Sequence, residues 1–301
     1  MRTTEGFSDY DGAQTAYLVA AADGDELGAI GVRPLVVVHG GPGCTFDYLL
    51  SLTDLVRPGR PVVFYDQIGN GRSTHREGAP AEHWTVEFFL GELDALLANL
   101  GIENDYDLLG QSWGGMLAAE IAVRRNPALA SVSICNSPAS MPLWVSEAAK
   151  LRDALPDAAR DALAEHEAAG TLDHPDYVDA TRLFYERHVC RTVPTPQDFV
   201  DSEAQMLADP TVYHTMNGPN EFHVIGTLRD WSVIDRLPAT SVPTLVVAGE
   251  YDEATPATWR PFADLIPGAT AHVFPGASHC VHLEQPEEFR TVIADFLAQH
   301  P

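Results

Sequence analysis

Between residues 106 and 125 the chain runs Tyr106-Asp-Leu-Leu-Gly110, then Gln111-Ser-Trp-Gly114, then an apolar stretch from Met116 to Arg125 that stops near Asn126-Pro127. A short strand of buried type, a serine flanked by two glycines and a helix in direct succession leave few folds open. Gly-x-Ser-x-Gly in this setting is a sharp strand-to-helix turn that lifts the serine hydroxyl above the end of a sheet. The glycines let the chain turn sharply, and the helix that follows aims its first free amides at negative charge developing beside Ser112. Without those flanks the same five residues would be a glycine-rich turn with a serine helix cap.

The strand-then-loop design recurs. Pro34-Leu-Val-Val-Val-His39 ends at Gly40-Gly-Pro-Gly43, and Pro61-Val-Val-Phe-Tyr-Asp66 precedes Gly69-Asn-Gly71. Leu129 to Cys135 predicts another buried strand, and Trp84 to Leu100 switches to helical spacing, with Phe88, Leu93, Leu96, Leu97 and Leu100 on its apolar face. Alternating strands and helices predict an α/β fold with a mostly parallel central sheet covered by helices on both faces. An N-terminal hairpin region is expected from Gln14 to Leu27, broken at Asp23-Gly24-Asp25. From about Met141 to Phe222 the alternation lapses into Ala-, Asp- and Glu-rich helical pieces: Pro156 to Ala169, Pro175 to Val189 and Thr195 to Leu207. It resumes with Val242 to Gly249, a helix after Pro256, Ala271 to Phe274 and a last helix from Pro286 to about Gln299. The expected organisation is a core of residues 1–140 and 223–301 with a helical cap, residues 141–222, inserted in it.

Composition narrows the function classes. The 301 residues carry 43 acidic and 18 basic side chains, a formal charge of −25, alongside 45% hydrophobic residues. That is a folded, acidic chain whose field repels nucleic acid and acidic substrates. The N-terminus lacks the apolar run of a secretory signal and no segment approaches ~20 apolar residues, so a cytoplasmic protein with no membrane partner is expected. Cys44, Cys135, Cys190 and Cys280 form no Cys-x-x-Cys pair and are expected to be free thiols, with Cys44 and Cys280 near the catalytic mouth. No metal motif, nucleotide phosphate loop or dinucleotide spacing occurs, and no cofactor is expected.

A serine hydroxyl needs a base, and in this strand order the acid and then the histidine follow the nucleophile near the ends of later strands. Asp252, in Gly249-Glu-Tyr-Asp252, and His279, in Gly276-Ala-Ser-His279, stand at those places. His279 would take the Ser112 proton and return it to the leaving group, with Asp252 orienting its ring. His282 is the competing base, and a packing or solvent-facing place suits it better. The loop His39-Gly-Gly-Pro-Gly43 has the low bulk that lets an amide approach a substrate oxygen. Its donor is assigned to Gly41 or the glycine next to it, opposite the amide of Trp113, because Pro42 has no N–H. Asp66-Gln67 is expected to brace this loop. Trp113, Phe46, Tyr48, Trp144 and Tyr213 are candidate aromatic walls, and each also suits ordinary core.

Taken together, His39-Gly-Gly-Pro-Gly43, Asp66-Gln67, Gly69-Asn-Gly-Arg-Ser73, Gly110-Gln-Ser-Trp-Gly-Gly115, Gly249-Glu-Tyr-Asp252 and Gly276-Ala-Ser-His279 resemble the proline iminopeptidase (prolyl aminopeptidase) family of α/β-hydrolases, most nearly its tricorn-interacting aminopeptidase branch. The resemblance spans most of the chain. It implies an α/β-hydrolase fold, a serine aminopeptidase that releases proline or another small N-terminal residue from short peptides or aryl amides, and no metal or organic cofactor. It further implies that Glu221 and Glu253 bind the free amine of the substrate; as plain residues both would also serve as solvent-facing or helix-capping glutamates. The alternatives are an amino-acid amidase or esterase acting on a small or secondary-metabolite substrate with the same machinery, and a noncatalytic binding protein on a hydrolase scaffold. The sequence assigns no oligomeric state.

Overall fold

The computed structural model describes residues 1–300. Eight strands form one sheet in the order β1-β2-β4-β3-β5-β6-β7-β8. β1 (Arg2–Tyr10), β2 (Ala13–Ala21) and β4 (Val62–Tyr65) pair antiparallel, and β4, β3 (Leu35–Val38), β5 (Tyr106–Gln111), β6 (Leu129–Cys135), β7 (Thr244–Gly249) and β8 (Thr270–Phe274) run parallel. β3, β4, β5 and β7 are buried at every position, which is why they appear in the sequence as continuous apolar runs rather than alternating ones. One apolar cluster fills the face containing Val36, Val38, Leu108 and Val246. A second fills the face of Leu35, Val37, Leu109 and Val247.

The predicted hairpin is present, with its turn elsewhere. The strands reverse at Asp11-Gly12, where both residues have positive φ (48° and 72°), the backbone a two-residue hairpin demands. Asp23-Gly24-Asp25 instead lies in the connection after β2. Helix α1 (Val86–Leu100) follows the spacing signal: the Thr85 side chain accepts from the Phe88 amide, and Gly101 closes the end at φ 67°. Its Leu93, Leu96 and Leu97 are fully buried while Phe88 and Leu100 lie at the margin of the core.

Helix α2 (Trp113–Val123) begins directly after the serine, three residues earlier than its apolar periodicity predicts. Gly114 and Gly115 carry no periodic signal, yet they form its first turn because there is no room for side chains. A Cβ on Gly114 would meet the Val38 carbonyl at 2.1 Å, and one on Gly110 the Gly114 carbonyl at 2.0 Å. All eleven residues of α2 are buried, so it is apolar around its whole circumference.

Five α-helices and a short 3-10 helix (Ile234–Ala239) separate β6 from β7, the five being α3 (Met141–Asp153), α4 (Asp157–Ala169), α5 (Pro175–His188), α6 (Gln197–Ala208) and α7 (Thr211–Met216). After them come α8 (Pro256–Leu265), β8, the short α9 (Val281–Glu284) and α10 (Pro286–Gln299). The C-terminal ends of β3, β4, β5, β7 and β8 and the loops that leave them carry every motif singled out in the sequence, as expected for a parallel sheet. No helix of the described residues is long and apolar enough to cross a membrane.

Candidate active site

Ser112 sits at the turn between β5 and α2 with φ 56° and ψ −121°, a strained backbone for a residue with a side chain. The surroundings hold it there. Its amide donates to the Cys135 carbonyl at 2.9 Å, and its own carbonyl accepts from Gly115 and Met116 at 2.8 and 3.2 Å. Gly41 and Trp113 lie beside it on the walls of one shared cavity, and neither amide donates to another group among the described residues. Both are therefore free to donate to a substrate oxygen.

Asp252 and His279 come from the ends of adjacent strands, β7 and β8. His279 Nδ1 donates to Asp252 Oδ1 at 2.8 Å, with both groups buried. Three more donors converge on the same carboxylate: Asn136 Nδ2 at 2.6 Å, the Ala254 amide at 2.8 Å and the Gly249 amide at 3.4 Å. All four contacts use the carboxylate as an acceptor, two donors on each oxygen. Burial pulls the His279 pKa down, but the Asp252 charge and hydrogen bond, with help from Glu221 and Glu284, outweigh it and leave the ring more basic than usual. Ser112 and His279 face the same cavity without a hydrogen bond between their side chains; hydrogen bonds of this kind are often long before substrate arrives. His282, the competing base, is buried with no partner on either nitrogen and packs against Tyr48 and Phe289. Burial, then the charge of His279, pushes it down to about 3, so it is a neutral core residue.

The glycine loop is braced as expected. His39 accepts from the Gln67 amide at 3.0 Å through Nε2, which leaves Nδ1–H to donate to the Gly40 carbonyl at 2.9 Å. Gln67 also accepts from Trp113 Nε1 at 2.8 Å, tying the strand β4 loop to the serine turn. Asp66 accepts from the Phe46 amide at 2.9 Å and from the Arg72 amide and guanidinium at 3.0 and 2.9 Å, and it touches neither Ser112 nor the cavity wall. Tyr48 joins the two walls, accepting from the Gly40 amide at 2.7 Å and donating to Gln111 at 2.6 Å.

The cavity in front of Ser112 holds three glutamates: Glu203, Glu221 and Glu253. Glu221 accepts from the Tyr213 hydroxyl at 2.6 Å, and its backbone carbonyl accepts from Trp144 Nε1 at 2.7 Å. Glu253 is buried with both carboxylate oxygens unpartnered, one of them 3.8 Å from His279 Nε2. Burial raises the pKa of both. The Tyr213 hydrogen bond opposes the rise at Glu221, while the charges of Glu221 and Asp252 add to it at Glu253. Glu203, which sequence reasoning missed, is also raised by burial and by Glu221. No lysine or arginine lines this cavity.

Of the candidate aromatic walls, Tyr48 lines this cavity and Trp113 and Trp144 line a second one that shares Gly41, Ser112 and Glu221 with it. Phe46 is core, packed on Phe64 beneath the Arg72 guanidinium, and Tyr213 acts through Glu221 rather than as a wall. Cys44 and Cys280 line the first cavity, and all four cysteines are free. Elsewhere, His166, His174 and Asp176 bring potential ligand atoms within 4.8 Å of one another. The two imidazoles stack with centroids 4.0 Å apart and planes at 17°, which sets their in-plane lone pairs side by side rather than convergent on one ion.

Residues 33–286 match the family model described as alpha/beta hydrolase fold. A proline iminopeptidase of Thermoplasma volcanium is 34% identical over 299 residues, 99% of this chain and 98% of its own length. A crystal structure of the proline iminopeptidase of Mycobacterium smegmatis superposes with a TM-score of 0.90 at 56% identity, covering 99% of this chain and 98% of that one. The crystal structure of VinJ gives 0.94 at 50% identity, covering 99% of each chain. The chain belongs to the proline iminopeptidase family of α/β-hydrolases.

Proposed function

We propose that this protein is a serine aminopeptidase that releases a small N-terminal residue, proline above others, from short peptides or amino-acid amides through an acyl-enzyme. Ser112 attacks the first carbonyl while His279 takes its proton, Asp252 holds the imidazole in the productive tautomer, and the amides of Gly41 and Trp113 receive the oxyanion. His279 then gives the proton to the leaving nitrogen. Water repeats the sequence to free the amino acid.

The single observation that carries the aminopeptidase reading is the placement of Glu221 and Glu253 in the Ser112 cavity with no lysine or arginine on its walls. Carboxylates that burial and mutual repulsion make hard to ionise are matched by an ammonium brought in from outside, and a free α-amine is the nearest cation to the scissile carbonyl. The volume of this cavity, about 40 Å³, favours a compact first residue. In this reading residues 141–222 act as a cap on the core of residues 1–140 and 223–301, restricting access to small substrates: Phe199, Glu203 and Met206 of α6 share the cavity wall with Ser112. A cytoplasmic location is part of the same proposal, supported by four free thiols.

Glu221→Gln tests the clamp. Loss of one charge-assisted hydrogen bond should lower kcat/KM for free-amine substrates by roughly 10- to 100-fold, while whatever turnover N-blocked substrates show changes little. Equal losses on blocked and unblocked substrates would remove Glu221 from amine recognition.

A further inference from the structure

Three successive backbone amides anchor the loop that carries His279. The Ser278 amide donates to Glu284 Oε2 at 2.5 Å, the His279 amide to the His188 carbonyl at 3.1 Å and the Cys280 amide to the Val189 carbonyl at 2.9 Å. His188 and Val189 stand at the end of α5, one of the helices inserted between β6 and β7. The His188 carbonyl also accepts from the Glu253 amide at 3.2 Å, and its ring Nδ1 donates to the Tyr251 carbonyl at 3.0 Å. The end of α5 therefore touches the loops of both Asp252 and His279.

Glu284, the last residue of α9, ties these two partners together. Its Oε1 accepts from the Arg191 amide, just beyond α5, and from the Ser278 hydroxyl, each at 2.5 Å, while Oε2 takes the Ser278 amide. One carboxylate thus receives donors from the inserted helices and from the residue directly before His279. Two other side chains reach the same stretch at longer distances: Asn136 Nδ2 to the Ser278 carbonyl at 3.3 Å and Gln111 Nε2 to the His279 carbonyl at 3.4 Å. Removing the Glu284 carboxylate leaves the amide of the buried Ser278 without its acceptor and unties Arg191 from the histidine loop.

We propose that Glu284 is a positioning residue for the reaction: it fixes the His279 loop against the end of α5, so that the imidazole stands within reach of Ser112 when substrate arrives. This deepens the reading of His279 as the base and rests on it. Ser112 and His279 share a cavity wall without a hydrogen bond between their side chains, so their separation is the quantity the loop must set. A misplacement of about 1 Å in a reacting pair costs roughly 100-fold in rate. Glu284 also acts on the ring through its charge. Burial lowers the His279 pKa, and the charges of Asp252, Glu221 and Glu284 raise it. Glu253 lies 3.8 Å from Nε2, His282 of α9 is the neighbouring imidazole, and Glu203 of α6 and Tyr185 of α5 line the same cavity.

The test compares Glu284→Gln, Glu284→Asp and Ser278→Ala with the wild-type enzyme in two measurements. One is steady-state kinetics on a prolyl aryl amide; the other is the pH dependence of Ser112 labelling by a serine-directed phosphonate that carries no amine. Glu284→Gln should lower kcat and the labelling rate by roughly 10- to 100-fold, with less effect on KM. Its labelling should also persist to lower pH, because a negative charge near the imidazole is gone. Glu284→Asp keeps the charge but is too short to reach every donor, so its rates fall while its acid limb stays at the wild-type pH. Ser278→Ala removes one donor and should cost a few-fold alone and little more on the Glu284→Gln background. If the Glu284 variants do not fold, Ser278→Ala decides, and wild-type kcat in it would overturn the proposal. A Glu284→Gln protein with wild-type kcat, labelling rate and acid limb would also overturn it, whatever its melting temperature, as would losses that multiply in full in the double variant. Wild-type labelling with no acid limb would instead sink His279 as the base, and the proposal with it.

Discussion

Ser112→Ala should leave a folded protein whose kcat on a prolyl aryl amide is lower by roughly 10⁴- to 10⁶-fold, with KM little changed. The fold should tolerate the change because Ser112 contributes to local structure through its backbone: the amide to Cys135 and the carbonyl to Gly115 and Met116 are kept by alanine. Its positive φ is a strain that alanine shares. What is lost is the Ser112 hydroxyl, which shares cavity walls with Gly41, Trp113 and His279. Labelling with a serine-directed phosphonate should be lost in parallel. Normal turnover by a folded Ser112→Ala protein would remove the acyl-enzyme from the account.

Asp252→Asn should be nearly as damaging, lowering kcat by roughly 10⁴-fold, because the amide nitrogen of asparagine would present hydrogens where the site supplies only donors. Four donors meet the Asp252 carboxylate, from His279, Asn136, Ala254 and Gly249. An asparagine side chain satisfies at most those on its oxygen, and its NH₂ group opposes the rest. Turning the oxygen toward His279 keeps the tautomer but strands the Asn136 amide, while the reverse orientation forces the imidazole proton to the nitrogen that must accept from Ser112. Stability should also fall, by about 1–3 kcal/mol for a buried donor left unpaired. Calorimetry and steady-state kinetics on the same preparation separate the two effects. A variant that loses stability but keeps kcat would reduce Asp252 to a structural hub.

Much of this site was legible because its chemistry is local in sequence. Each strand of the parallel sheet except β6 ends in a short motif, and the order serine, acid, histidine follows from where strands β5, β7 and β8 end. The signal fails where function depends on contacts between distant segments. Asn136 has no motif of its own. It matters because β6 lies beside β7, where its φ of 51° and its amide bond to the Val247 carbonyl aim its side chain at Asp252, 116 residues away. Glu203 was hidden for a different reason. It is one of many glutamates in an acidic helical region, and only the helical period of Phe199, Ser202, Glu203 and Met206 marks the face of α6 that lines the cavity. The start of α2 was misplaced because periodicity detects side chains, and Gly114 and Gly115 are there to have none. Phe46 shows the converse limit: an aromatic residue beside a catalytic loop looks like a pocket wall until its burial under Arg72 is known.

In the proposed mechanism a serine nucleophile acts on a carbonyl whose neighbouring amine is held by glutamates. The measurement that tests it most directly compares free and N-blocked proline, alanine and phenylalanine aryl amides on the wild-type enzyme, with Ser112→Ala as background. Turnover should be confined to free amines, strongest for proline, weaker for alanine and weakest for phenylalanine. Turnover of blocked substrates at rates equal to their free counterparts would contradict it, leaving a serine hydrolase whose glutamates do not read the substrate amine.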